Sequence, residues 1–178
     1  MSKLAVLRVL PLLSATSYIT FAFAEDVFIR PLVHDGSSAA DIKLRRHANR
    51  ILPSFNTFTA RGLPFIFTTY PLSFATAAAN IFLNDDTAVS FSRDAGPGPR
   101  LAALCYAAGL FFSLLHLAFG PAAMAHLDRV AADQGSEGDV KGDNTASIAS
   151  WLRLNAIRAT VADLPSWVCY LVAFAASA

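Results

Sequence analysis

The stretch "LAALCYAAGLFFSLLHLAFGPAAM", Leu101–Met124, holds no Asp, Glu, Lys or Arg, and its most polar side chain is His116. A helix needs ~20 mostly apolar residues to cross a bilayer, and this run supplies them. Three more runs are mostly apolar over a similar length, Leu4–Ile29, Pro64–Leu83 and Leu154–Ser177, although the first holds Arg8, Glu25 and Asp26 and the last Arg158 and Asp163. Of the 178 residues, 54% are hydrophobic and 15% charged, with mean hydropathy +0.46. Soluble domains carry about a quarter charged residues. The expected fold is therefore all-α: a four-helix transmembrane bundle, one integral membrane domain, with a long basic loop between spans one and two. The spans are expected at about 4–29, 64–83, 101–124 and 154–177.

The first run has two readings. A basic start, an apolar middle and Ala22-Phe23-Ala24 before Glu25 form the layout of a cleaved secretory signal. Against this, Arg8 and Pro11 interrupt the apolar region. Ser14, Ser17, Tyr18, Phe21 and Glu25 also recur at helical spacing, a stripe for which a discarded segment has no use. The retained span is the preferred reading. The Arg30–Leu63 connection carries the basic centre "KLRRHANR", which reads equally as a short helix on the membrane surface and as a solvated linker.

Several function classes are excluded by what the sequence lacks. Net charge is +1, which offers no electrostatic footprint for nucleic acid. Cys105 and Cys169 sit inside apolar runs and read as buried, unpaired thiols. There is no phosphate-cradling glycine loop, dinucleotide fingerprint or Gly-x-Ser-x-Gly elbow. His34, His47, His116 and His126 form no ligand pair at i, i+4 spacing. No metal or organic cofactor is expected. Lysine and arginine counts set sidedness. Arg30, Lys43, Arg45, Arg46, Arg50, Arg61, Arg129, Lys141 and Arg153 fall on the odd-loop side, against Lys3, Arg8, Arg93 and Arg100 opposite. The odd loops are expected to face the cytoplasm, in a membrane such as that of the endoplasmic reticulum.

Ionisable groups within spans are costly and mark candidate sites. Glu25, His116, Asn155, Arg158 and Asp163 all fall toward the odd-loop side of their spans. Arg158 and Asp163 are five residues apart, ~140° around a 3.6-residue helix, so an ion pair within the helix is not expected. Each should look to another helix: Glu25 can meet Arg158, and His116 can meet Asp163. Cys105, Gly109, Ser113 and Gly120 form a small-residue line suited to close helix packing. Thr69, Ser73, Thr76 and Asn80 form a polar stripe on span two, and Pro71 and Pro165 are potential kinks.

Four spans, "EDVFIRPLV" closing the first, "FGPAAMAHL" closing the third and "WLRLNAIRATVADLP" opening the fourth resemble the small fungal integral membrane proteins that include the anthrone oxygenases. The resemblance covers most of the chain. It departs after Pro121, where Ala122 and Ala123 stand in place of an Asn common in the family. The resemblance implies oxidation of a lipophilic polyketide or terpenoid, with O2 as co-substrate and no cofactor. His116 or Asp163 would then serve as base, with Arg158 and Asn155 stabilising an oxyanion. Trp151, Trp167, Tyr18 and Phe21 would line the apolar slot. The same equipment suits a cofactor-independent cyclase or isomerase, and a non-enzymatic partner subunit would use the charges for helix association instead. The expected partners are a lipophilic small molecule, the bilayer and other enzymes of the same biosynthesis.

Overall fold

A computed structural model describes residues 3–33, 38–83, 89–132 and 144–177, and all regular structure among them is helical. The helices are α1 (Lys3–Ile29), α2 (Ala39–Ile51), α3 (Asn56–Phe82), α4 (Pro97–Leu117), α5 (Gly120–Ala132), α6 (Asn144–Arg158) and α7 (Leu164–Ser177). A π-helical turn, Ala159–Asp163, joins the last two. Four helical stretches are long and apolar enough to cross a membrane: Leu4–Leu32, Ala60–Phe82, Pro97–Ala132 and Asn144–Ser177. The expected four-span architecture is thus present.

The third span contains a break that its hydropathy does not show. Ala118 and Phe119 form a turn between α4 and α5. Pro121 is the cause, because it donates no backbone hydrogen bond and its ring crowds the carbonyl four residues back. At the other end of α4, Pro97 and Pro99 follow the N-cap Gly96. There the missing N–H would have had no partner anyway.

The chain divides into two compact units. The first takes the described parts of Met1–Thr20, Ile66–Ala118 and Arg158–Ala178. Its core alternates small and aromatic side chains: Ala15, Ala77, Ala102, Ala103 and Ala173 beside Tyr18, Tyr70, Tyr106 and Tyr170. Alanines let helices approach, and the tyrosines fill the remaining volume while keeping a hydroxyl to pair. Tyr106 donates to the Arg8 carbonyl at 2.9 Å, and Asn80 donates to the Leu7 carbonyl at 2.8 Å. Apolar bulk also faces outward, with Phe67, Leu104 and Phe111 exposed. A helix that is apolar all round suits a lipid environment rather than water. Cys105 and Cys169 are free thiols, as expected, but half-buried rather than buried.

The second unit takes Phe21–Phe65 and the described parts of Phe119–Ile157. Its core is Ile29, Leu52, Ala123, Val130, Ile148, Trp151 and Leu152. The basic connection between the first two spans contains a helix, α2. Ser38 opens it with a capping box, its hydroxyl accepting from Asp41 N–H at 3.1 Å while Asp41 accepts from Ser38 N–H. Such a box satisfies two otherwise orphaned donors. The fourth span's helix begins at Asn144, well ahead of the expected Leu154. Ile148, Trp151 and Leu152 give this early section an apolar stripe. The Asn49 side chain accepts from Thr145 N–H at 2.9 Å, and so caps its start.

Candidate functional site

The site forms in the first unit, on three helical seams. On α4 one buried seam runs through Ala102, Tyr106, Gly109, Ser113 and His116, with Ala103 buried beside it. In the last span's part of this unit the seam runs through Asp163, Ser166, Tyr170, Ala173 and Ser177, with Ala162 beside it, and on α3 through Tyr70, Ser73, Ala77 and Asn80, with Thr76 beside it. Each set alternates steps of three and four, the period of a helix face buried along its length. Here that face is rich in hydroxyl, imidazole and carboxylate groups.

Asp163 is the centre and is fully buried. Its Oδ1 lies 2.9 Å from His116 Nδ1 and accepts from the Tyr70 hydroxyl at 3.2 Å. Its Oδ2 lies 3.4 Å from Arg158 Nε. That distance is an ion pair without hydrogen-bond geometry, and both atoms lack a hydrogen-bond partner among the described residues. An unmet donor and an unmet acceptor therefore sit side by side next to the dyad. With Asp163 ionised, His116 Nδ1 carries the proton, which leaves Nε2 as the nitrogen able to accept one.

The aromatic packing fixes these groups. Tyr70 stacks on Tyr18 with ring centroids 4.2 Å apart and planes 9° apart. It also packs against the His116 ring at 3.8 Å. Beyond this layer lies a hydroxyl cluster. Ser166 Oγ is 3.0 Å from the Tyr18 hydroxyl and 2.6 Å from Ser113 Oγ, and Ser113 is 3.0 Å from the Tyr170 hydroxyl. Ser166 also lies within hydrogen-bond reach of the Gly109 carbonyl at 3.1 Å.

The Arg158–Asp163 pair corrects the expectation that these two charges look away from each other. That expectation assumed a regular helix, in which five residues rotate a side chain well past its starting face. The segment is instead a π turn, and Leu164 N–H bonds to the Ala159 carbonyl, five residues back. Closing the ring over five residues brings positions i and i+5 onto one side. Pro165 follows at once. Its ring would crowd the Val161 carbonyl in a regular helix, and the wider turn gives that ring room.

The remaining expected residues divide between the units. Tyr18 joins the site through its stacked ring and its hydroxyl. Trp167 is in the same unit, but its indole N–H is taken by Thr16 Oγ1 at 2.9 Å on the exposed side. Glu25, Asn155, Trp151 and Phe21 belong to the second unit. There Asn155 Nδ2 donates to Glu25 Oε2 at 3.4 Å, Trp151 sits in the core, and Phe21 packs its ring against Phe65 at 5.1 Å. Within the second unit Asn155 pairs with Glu25, and within the first Asp163 pairs with Arg158.

Tyr70 escaped the sequence reading. Its signal was present: Tyr70 extends the polar stripe of Ser73 and Asn80 by one more step of three. Ser166 and Tyr170 likewise continue from Asp163 at steps of three and four. The Tyr70 hydroxyl serves a buried carboxylate, and bonds to charged groups contribute about 1.5–3 kcal/mol. Tyr70→Phe keeps the stacked ring and removes that donor. Its expected result is a stability loss of that size, read as a lowered melting temperature in detergent.

No family model matches the chain, and no solved structure does. Curated relatives do match over nearly the whole length. The chain is 33% identical over 173 residues to the epoxidase pydX of an Acremonium species, covering 96% of this chain and 93% of that protein. It is 31% identical over 173 residues to the epoxidase gkaX of Penicillium citrinum, covering 97% and 94%. It is 29% identical over 171 residues to the probable epoxidase scpX of Mollisia scopiformis, covering 94% and 93%. The expected kinship with small fungal proteins holds, although these relatives carry the name epoxidase and not anthrone oxygenase. With identity at this level from end to end, the chain belongs to the fungal protein family that includes pydX and gkaX.

Proposed function

We propose that this chain is a membrane-embedded oxygen-transferring enzyme, an epoxidase acting on a lipophilic biosynthetic intermediate of polyketide or terpenoid type. The observation that carries the reading is the buried Asp163, held between His116, Tyr70 and Arg158 inside helices of membrane-spanning length. The names of the relatives supply the reaction class. An ionised carboxylate in such a place is costly unless it is paired and used.

The chemistry follows from the groups. Asp163 holds His116 by Nδ1 and stabilises the imidazolium that forms when Nε2 takes a proton. Arg158 Nε offers a donor to an oxygen that gains negative charge, in surroundings where such a bond is strong. A substrate with an acidic O–H or C–H gives its proton to Nε2 and becomes an electron-rich anion that O2 attacks. For a hydroquinone-type substrate QH2 the balance closes as QH2 + O2 → QO + H2O. One oxygen atom enters the epoxide, the other leaves as water, and the substrate supplies both electrons. For an isolated alkene the same transfer needs two electrons and two protons from a separate reductant of hydride-donor type.

Incubation of the purified protein with a lipophilic hydroquinone-type intermediate, or with a lipophilic alkene and a hydride-donor reductant, under 18O2 tests the proposal. The expected product carries one 18O atom in an epoxide ring. A rearranged product formed equally well without O2 would assign the site to cyclisation or isomerisation and overturn the epoxidase reading.

A further inference from the structure

Helix α2 has two opposed faces. Asp41, Arg45, Ala48 and Leu52 point inward, and Ala48 and Leu52 are fully buried. Lys43, Arg46, His47 and Arg50 are all exposed, and at i, i+3, i+4 and i+7 they form a single stripe. At ~100° per residue, the centre of that stripe lies about 180° from the buried face. None of the four has an ion pair among the described residues. The one acidic residue of the helix, Asp41, is engaged in the capping box with Ser38. Exposed apolar side chains flank the ridge, Leu44 and Ile51 on one side and Ile42 on the other.

The position of this ridge in the chain gives it a partner. Helices of spanning length end at Leu32 on one side and begin at Ala60 on the other. The stretch from Leu32 to Ala39 reaches on the order of 25 Å even when fully extended, and from Leu52 onward the chain is again helical. A bilayer crossed by those two spans therefore holds α2 close to its surface. Each basic residue that close to an anionic leaflet is attracted appreciably.

We propose that the Lys43–Arg46–His47–Arg50 ridge of α2 binds the headgroups of anionic phospholipids. The contact fixes α2 on the bilayer and so sets the height of the second unit, whose core includes Leu52 at its end. The proposal does not depend on the epoxidase reading and is tested without substrate.

The test is amide hydrogen exchange of the full chain in nanodiscs. One set contains phosphatidylcholine alone and the other about 30% phosphatidylserine, a composition with a substantial negative surface potential. The expected result is exchange in Ala39–Ile51 about tenfold slower in the anionic discs. The difference should disappear at about 0.5 M salt, where screening shortens to a few ångströms. It should also disappear in the triple variant Lys43→Gln, Arg46→Gln, Arg50→Gln, with exchange in α4 unchanged as the folding control. Equal exchange in both lipids overturns the proposal. So does equal slowing by soluble glycerophosphate in neutral discs, which would assign the ridge to a free phosphate. Protection in neutral discs that the triple variant abolishes would assign it to an acidic protein surface, and overturns the proposal as well.

Discussion

Asp163→Ala is expected to lower the rate of O2-dependent product formation by about 10²–10⁴, the range for losing a positioned acid–base group. It removes at once the acceptor that orients His116 Nδ1, the acceptor of the Tyr70 hydroxyl and the counter-charge of Arg158. Removing one partner of a buried ion pair typically costs 3–5 kcal/mol, because the other charge is left buried and unpaired. A loss of activity alone would therefore be ambiguous. Asp163→Asn separates the two effects. It keeps the shape and an oxygen for Tyr70 and removes the charge that fixes the imidazole tautomer, a change that costs about 10⁴ where the same arrangement drives acyl transfer. The prediction is a melting temperature closer to wild type for the asparagine variant, with activity as low as in the alanine variant. Full activity in a folded Asp163→Asn protein would remove Asp163 from the chemistry.

Gly109→Ala is expected to destabilise the first unit by about 1–3 kcal/mol, the range for overpacking a well-filled core. A Cβ at this position would stand 2.5, 2.7 and 3.0 Å from Cε1, Cδ1 and Cζ of Tyr170. Those atoms belong to a rigid ring that is itself fully buried and bonded through its hydroxyl to Ser113. The ring cannot move aside without breaking that bond. The separation between α4 and α7 is thus set by the missing side chain of Gly109. A double-mutant cycle with Tyr170→Ala checks the cause. The second substitution should cost less in the Gly109→Ala background than alone, since it removes the clashing ring. Additive costs would place the damage elsewhere.

Much of this arrangement was legible in the sequence, for identifiable reasons. Long apolar runs announce spans because the bilayer imposes a length on them, and all four are present. Chain direction alternates between spans, so depth alone placed His116 beside Asp163, and the two side chains meet at 2.9 Å. Other features were hidden. The Arg158–Asp163 pair requires a departure from 3.6-residue periodicity, and periodicity was the assumption used to reject it. Tyr70 stands beside Pro71 in "FIFTTYPL", where an aromatic reads as lipid-facing bulk unless its stripe is followed to Ser73 and Asn80. Ser113 was read as a packing residue because it lies in line with Gly109. It packs there, and it also carries the hydroxyl that links Ser166 to Tyr170. The early start of α6 was hidden because its polar residues look like loop until Asn49 is seen to cap them.

The π turn has a consequence for descent as well as for geometry. A turn closed over five residues is the equivalent of an α-helix carrying one inserted residue. Removing one position between Ala159 and Ala162 would leave Arg158 and Asp163 four apart, which is the ordinary spacing of facing charges on a regular helix. The charge pair is thus compatible with two chain lengths, and only the longer needs the wide turn. Pro165 favours the longer, since its ring fits behind that turn. In this chain the spacing between the arginine and the aspartate is therefore one that could lose a residue and still bring the two charges to one side of the helix.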